Sequence, residues 1–232
     1  MLLASFDVEW TKNYRIKNGN RPFCFSVVYL PIPTRGQPVD LAGCPWWWSS
    51  TYVESSGETA DLVEVADVQL GVASDAGARL VGHQLSSDLA ILLATAGREA
   101  PRVESARDAW GARRATGRVL DTRYDAGHLL DGCASRRLVD VCTALRLDVT
   151  QPELHRTSMT ALHRAWLETG DTLLRERISV LNLRHSLSTA LVAALATGAA
   201  QPGGAVNVNR LLAAGLGDQF DYLRSPMFTA LL

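Results

Sequence analysis

Strand-like text comes first in this chain and helical text fills its second half, an order that leaves few architectures open. LLASFDVEW and RPFCFSVVYLPI read as two strands, rich in the β-branched and aromatic residues that suit a pleated surface. The TKNYRIKNGN between them carries an Asn-Gly turn signal, so the pair predicts an antiparallel hairpin. Alternation along FCFSVVYL puts Cys24, Ser26, Val28 and Leu30 on one face and Phe23, Phe25, Val27 and Tyr29 on the other. A third strand is expected around WWWSSTYV, then a helix over 59–74 and a short buried strand in ARLVGH. The helix in SSDLAILLATAG follows, opened by Ser and Asp and closed by Gly97. After the arginine-rich stretch 98–118, RVLDT reads as the last strand. Beyond residue 136, RRLVDVCTALRL, SMTALHRAWLETG and a long segment over 172–197 repeat apolar residues at helical spacing. The expected fold is therefore α/β: a mixed sheet flanked by helices, with a helical C-terminal half. Residues 1–200 form its domain, and 201–232 form a C-terminal extension of linker, short helix and loop. Ligand chemistry in such sheets gathers at strand ends.

Composition removes several function classes. With 232 residues and 47% hydrophobic side chains the chain can bury a sizeable core. A formal net charge of −1 disfavours a strongly basic nucleic-acid binder while leaving room for a locally basic groove. Cys24, Cys44, Cys133 and Cys142 make no CxxC and no zinc spacing with His, and read as reduced thiols in a cytoplasmic protein. No secretory signal pattern opens the chain, and the run LSTALVAALATGAA is too short and Ala-rich to span a bilayer, so no membrane partner is expected. Neither GxxxxGK[ST] nor a GxGxxG after a strand occurs, which removes P-loop hydrolysis and dinucleotide redox chemistry.

The stretch FDVEW sets Asp7 and Glu9 two apart on a strand, so both carboxylates project from one face. Side by side they repel unless a cation or a proton intervenes; the plain alternative is a solvated strand end. Asp88, in GHQLSSDLAIL, falls on the first turn of its helix, where an acid alone would complement the helix dipole. Beside Asp7 and Glu9 it completes the kind of acidic set that two-metal phosphodiester chemistry uses.

These residues carry a family likeness. FDVE resembles the first motif of the DEDD superfamily of 3′–5′ exonucleases, which have a ribonuclease-H-like fold, and GHQLSSDLAIL is similar to its second motif. DTRYDAGHLL resembles the strand-to-helix passage that follows, and LNLRHSLSTALVAAL is similar in spacing to the third motif. The likeness extends from about residue 5 to 195, in short islands. It implies a ribonuclease-H-like mixed sheet and a metal-dependent exonuclease that hydrolyses the 3′ end of single-stranded DNA or RNA. By the resemblance, two divalent ions, Mg²⁺ or Mn²⁺, are the cofactors. Asp7 would bridge both, Glu9 would bind the first and Asp88 the second, with the metals cancelling the repulsion in FDVEW.

The third motif departs from the family. Aligned on Thr189, the family's Asp falls on His185 and its Tyr on Leu181. His185 reads in three ways: a replacement metal ligand or base, a remnant in a site that no longer catalyses, or a residue on a plain amphipathic helix. A neutral imidazole adds no negative charge and favours metals softer than Mg²⁺. The alternative function is accordingly a catalytically silent scaffold of the same fold that holds nucleic acid or a protein partner. Candidate nucleic-acid contacts are Lys12, Asn13, Tyr14 and Arg15, just after the acidic strand, and Trp47, whose ring suits base stacking. The plain readings are a polar hairpin loop and ordinary aromatic packing. The arginines of 98–123 read either as a phosphate rim or as a solvated face. His83 is expected to hydrogen-bond below Asp88, and Asp121 to support the site or cap a helix.

Overall fold

The computed structural model describes residues 1–11, 19–32, 40–41, 43–129, 133, 135–200 and 204–232. Strands β1 (Leu2–Thr11), β2 (Arg21–Pro31), β3 (Trp47–Tyr52), β4 (Arg79–Gly82) and β5 (Val119–Asp121) form one sheet in the order 3-2-1-4-5. β2 runs antiparallel to both β1 and β3, whereas β4 and β5 run parallel to β1, so the sheet is mixed as expected. β1 is its middle strand. A strand covered on both faces must present apolar residues to both, and the alternation does this. Leu3, Val28, Leu30, Val81 and Leu120 belong to one buried cluster, and Ala4, Phe6, Val8, Phe25 and Val27 to the other.

Helices α1 (Thr59–Asp75), α2 (Leu85–Thr95) and α3 (Pro101–Gly111) supply the second cluster; α4 (Arg113–Thr116) and α5 (Thr122–Asp125) flank β5. The first cluster is filled by α6 (Leu138–Ala144), α8 (Thr172–Ala196) and α9 (Val208–Leu216), while α7 (Met159–Thr169) joins the second. Leu147–Asp148 (β6) and Val206–Asn207 (β7) make a small parallel pair within the half expected to be all helix. Residues 206–232 bury Val208, Leu212, Leu216, Tyr222 and, on α10 (Pro226–Thr229), Phe228 in the first cluster. That segment thus packs against the same core as the sheet.

α8 takes in the first ten residues of the run LSTALVAALATGAA, up to Ala196, but starts much earlier. At 25 residues it is long and apolar enough to cross a membrane, yet 94% of its most apolar window is buried inside the fold. Burial against the sheet accounts for its hydropathy.

Two features aim β1 at a site. β4 pairs with β1 only over Leu3–Ser5, so Asp7 and Glu9 lie past the end of that neighbour, at the carboxyl edge of the parallel strands. The register against β2 shifts between Glu9 and Trp10, leaving Phe23 as the extra residue of a bulge beside the acidic pair. After β4 the chain turns sharply into α2. Gln84 takes φ +69°, and a Cβ on Gly82 would lie 2.6 Å from Leu85 Cβ. Gly82→Ala is therefore expected to lower stability by about 1–3 kcal/mol, read from urea unfolding, because backbone or Leu85 must shift. The expected caps of α2 need correction: its N-cap is Gln84 without a side-chain cap bond, and its C-cap is Ala96, with Gly97 outside the left-handed region. The acid near its start faces the protein instead of the solvent.

Candidate functional site

Three carboxylates from two elements line one small cavity of about 160 Å³: Asp7 and Glu9 of β1, and Asp88 from the first turn of α2, with His83 and Gln84 between the elements. A larger cavity of about 610 Å³ opens at the other end of the sheet, between α1 and α3, over Leu70, Ala73, Ala106 and Val119. It gathers no carboxylates, so the chemistry belongs to the smaller one.

α8 crosses the sheet face that carries Asp7 and Glu9, and its polar stripe is matched to β1 and β2. Asn182 Nδ2 donates to Asp7 Oδ2 at 2.6 Å. One turn on, Ser186 and Ser26 share a buried hydroxyl pair at 2.7 Å. Between them His185 Nδ1 lies 3.1 Å from Glu9 Oε1 and 3.6 Å from Asp7 Oδ2. Its Nε2 meets Gln151 Oε1 at 3.2 Å. Ligand atoms of Asp7, Glu9 and His185 all fall within 4.8 Å of one another. The spacing that aligned His185 with the third-motif Asp thus puts it in the same cluster as the acids. Leu181 does not reach it; that side chain is buried in the second apolar cluster.

The electrostatics follow from this crowding. Burial disfavours a charged His185, but hydrogen bonds and attraction from Asp7 and Glu9 outweigh it and hold the imidazole up to about 10. At neutral pH the ring is an imidazolium lodged against both acids. The repulsion built into FDVEW is therefore offset by the protein's own cation. Asp88 is different. It is 3% exposed, and its Oδ2 is buried with no hydrogen-bond partner. Burial first, then the charges of Asp7, Glu9 and Asp121, push its carboxyl well above the usual range, against a hydrogen bond from Val8.

A group raised in this way stabilises the fold below its unfolded pKa of about 3.9, and that contribution is lost as pH rises through the folded value. At neutral pH this carboxyl, buried among like charges, is a liability of the metal-free protein. Asp88→Asn is expected to raise the metal-free melting temperature by roughly 2–8 °C, and to remove the further rise that Mg²⁺ or Mn²⁺ gives the parent. A fall in melting temperature would mean that Asp88 is held by interactions favouring its ionised form.

Neighbouring residues hold the acids in place. Asp121 is fully buried and satisfied: it accepts from Gln84 N (2.9 Å), Trp110 Nε1 (2.9 Å) and Arg123 N, and so caps α5 while fixing the β4–α2 turn. His83, lowered by burial, contacts Thr122 Oγ1 at 2.9 Å through Nδ1 and Arg136 O at 3.0 Å through Nε2. The donor set fits a divalent ion. Carboxylate oxygens suit Mg²⁺ or Mn²⁺, a buried unpartnered Asp88 oxygen faces like charges, and the imidazole suits Mn²⁺ or Zn²⁺ better than Mg²⁺.

Lys12, Asn13, Tyr14 and Arg15 lie outside the described residues. Trp47 is 58% exposed on the edge strand β3, paired with Tyr29 and thus on the sheet face opposite Asp7. Its neighbours Trp46 and Trp48 pack on the first cluster. The geometry does not bring Trp47 to the acids. Three arginines of 98–123 are engaged elsewhere: Arg98 pairs with Glu64, Arg102 with Asp75 and Arg113 with Asp125. Asn182 and Gln151 are additions. Asn182 was signalled by its place one helical turn before His185, whereas nothing local to Gln151 marks it.

Fold and site together define an α/β protein with an acidic pocket at the carboxyl edge of a mixed sheet, and with His185 seated against two of its acids. No family model, curated protein or solved structure matches this chain.

Proposed function

We propose that this protein is a metal-dependent phosphodiester hydrolase of the 3′–5′ exonuclease type, of ribonuclease-H-like fold, acting on the 3′ end of single-stranded nucleic acid. The observation that carries this reading is the convergence of Asp7, Glu9 and the buried Asp88, whose Oδ2 has no hydrogen-bond partner, on one cavity. Asp7, Glu9 and Asp88 would hold the divalent ions, and His185 could be the remaining donor only on giving up its proton as the cation binds. When bound, such ions neutralise phosphate charge and activate water. The chain's own residues supply position: Asn182 fixes the Asp7 carboxylate, Asp121 fixes the turn that delivers Asp88, and Gln151 and Glu9 hold the His185 ring from both sides.

One observation favours the second reading, a scaffold that binds without cutting. His185 hydrogen-bonds through both ring nitrogens, and its charge already balances the acids. The two readings separate in a gel assay on a 5′-labelled single-stranded oligonucleotide, with Mg²⁺ or Mn²⁺. The nuclease shortens it stepwise from the 3′ end, faster with Mn²⁺, and Asp7→Asn abolishes the ladder. Intact DNA and RNA with both metals would leave the scaffold.

A further inference from the structure

An acidic pocket repels the polyanion it is meant to cut, so a nucleic-acid strand needs fixed cations beside the carboxylates. Among the described residues, the His83 side of this pocket offers them. His83 lines the cavity, and its Nε2 meets the Arg136 carbonyl at 3.0 Å. Arg123 Nη1 donates to that same carbonyl at 3.3 Å, which brings two arginines to one point of the rim. The charge of Arg123 is felt at His83, where it works against protonation of the ring. Arg136 and its neighbour Arg137 are exposed, and among the described residues none of the three arginines has a carboxylate within ion-pair distance.

The nearby acids among the described residues are engaged. Asp121 is held by Gln84, Arg123 and Trp110 through their N–H groups, Asp125 pairs with Arg113, and Asp140 accepts from the Ser135 hydroxyl. Arg98, Arg102, Arg113, Arg175, Arg184 and Arg224 are already paired with acids. Here the Arg123 guanidinium and the exposed Arg136, whose backbone supplies the shared carbonyl, stand beside His83 of the cavity without an ion-paired acid among the described residues.

We infer that Arg123 and Arg136 form the phosphate-holding rim of this site, gripping the backbone of a single-stranded nucleic acid whose scissile end enters the Asp7–Glu9–Asp88 pocket. The inference rests on the hydrolase reading for its choice of ligand, and its test is separate from cleavage. The probe is a fluorescein-labelled oligothymidylate, its anisotropy followed across a NaCl series in Ca²⁺ buffer, with the full chain as parent. The Arg123→Gln/Arg136→Gln double variant should bind at least tenfold more weakly. Its slope of log K against log salt should be shallower by about 1.4, since each single-strand phosphate contact contributes about 0.7. Arg123→Lys/Arg136→Lys should restore the slope, which a merely misfolded surface would not do. Equal slopes for parent and Gln variant, or no binding by the parent, would overturn the rim. Hydrolysis of the p-nitrophenyl ester of thymidine 5′-phosphate by the parent, with Mn²⁺, reports on the hydrolase reading alone. Its absence beside an intact salt effect would remove the enzyme and keep the rim.

Discussion

Glu153→Gln is expected to destabilise the protein by about 3–5 kcal/mol, the range for removing one partner of a buried ion pair. Glu153 and Arg184 are both fully buried, with Arg184 Nη2 at 2.8 Å from Oε1 and Nη1 at 3.1 Å from Oε2. The Tyr222 hydroxyl donates to Oε1 at 2.9 Å, Arg177 donates to the Glu153 carbonyl, and the Arg184 guanidinium stands over the Phe228 ring. Burial works against the Glu153 charge, but the hydrogen bonds and charge of Arg184 outweigh it and hold the carboxyl below its usual range. A lowered carboxyl stabilises above its unfolded pKa of about 4.3 and loses that contribution as pH falls through the folded value. The variant should therefore melt roughly 6–20 °C lower at neutral pH, with the deficit shrinking in acid. Glu153→Leu/Arg184→Met should recover much of the loss, because an apolar pair of similar volume leaves no uncompensated charge. A single-variant loss under about 1 kcal/mol would mean that Arg184 is solvated some other way.

That network also ties the C-terminal segment to the site. Arg184 precedes His185 on α8, and Glu153 lies two residues after Gln151, which holds His185 Nε2. Tyr222 and Phe228 close over the pair from the far end of the chain. None of this was legible locally, since a Glu in a short 3₁₀ turn and an Arg on an apolar helix read as surface charges until the fold brings them together. α3 was legible only as the solvated helix face weighed for the 98–123 stretch, for a related reason: only Val103 and Ala106 of its residues are buried, and its arginine-rich text hid their spacing. By contrast, the alternation of β2 was legible because both faces are covered and a strand's period is fixed. Asp7 and Glu9 were legible as a pair for the same reason. Position 88 was found by motif, but its burial was not foreseen. A first-turn acid is usually solvated, and only the short β4 and the left-handed Gln84 turn it inward.

His185→Asp should exchange stability for metal. In the metal-free protein the change removes the imidazolium that sits 3.1 Å from Glu9 and 3.6 Å from Asp7, and puts a further negative charge beside them. Crowding like charges in a partly buried site costs a few kcal/mol, so the metal-free variant should melt roughly 4–12 °C below the parent. The parent's own stability should decline at high pH, because a raised imidazole contributes fully below about 6.5 and loses that contribution as pH rises through about 10; the variant should lack this decline. Added Mg²⁺ should return most of the variant's deficit, since hard carboxylate oxygens and a divalent charge suit each other. The same substitution should raise Mg²⁺-supported cleavage roughly 10–100-fold, as restoring a metal-orienting group typically does. The melting and cleavage arms answer different questions. A large metal-free loss with full Mg²⁺ rescue but no cleavage would make the pocket a metal site without turnover. A variant as stable as the parent and indifferent to Mg²⁺ would remove His185 from the cluster's charge balance, and with it the physical reason for placing a cation between Asp7 and Glu9.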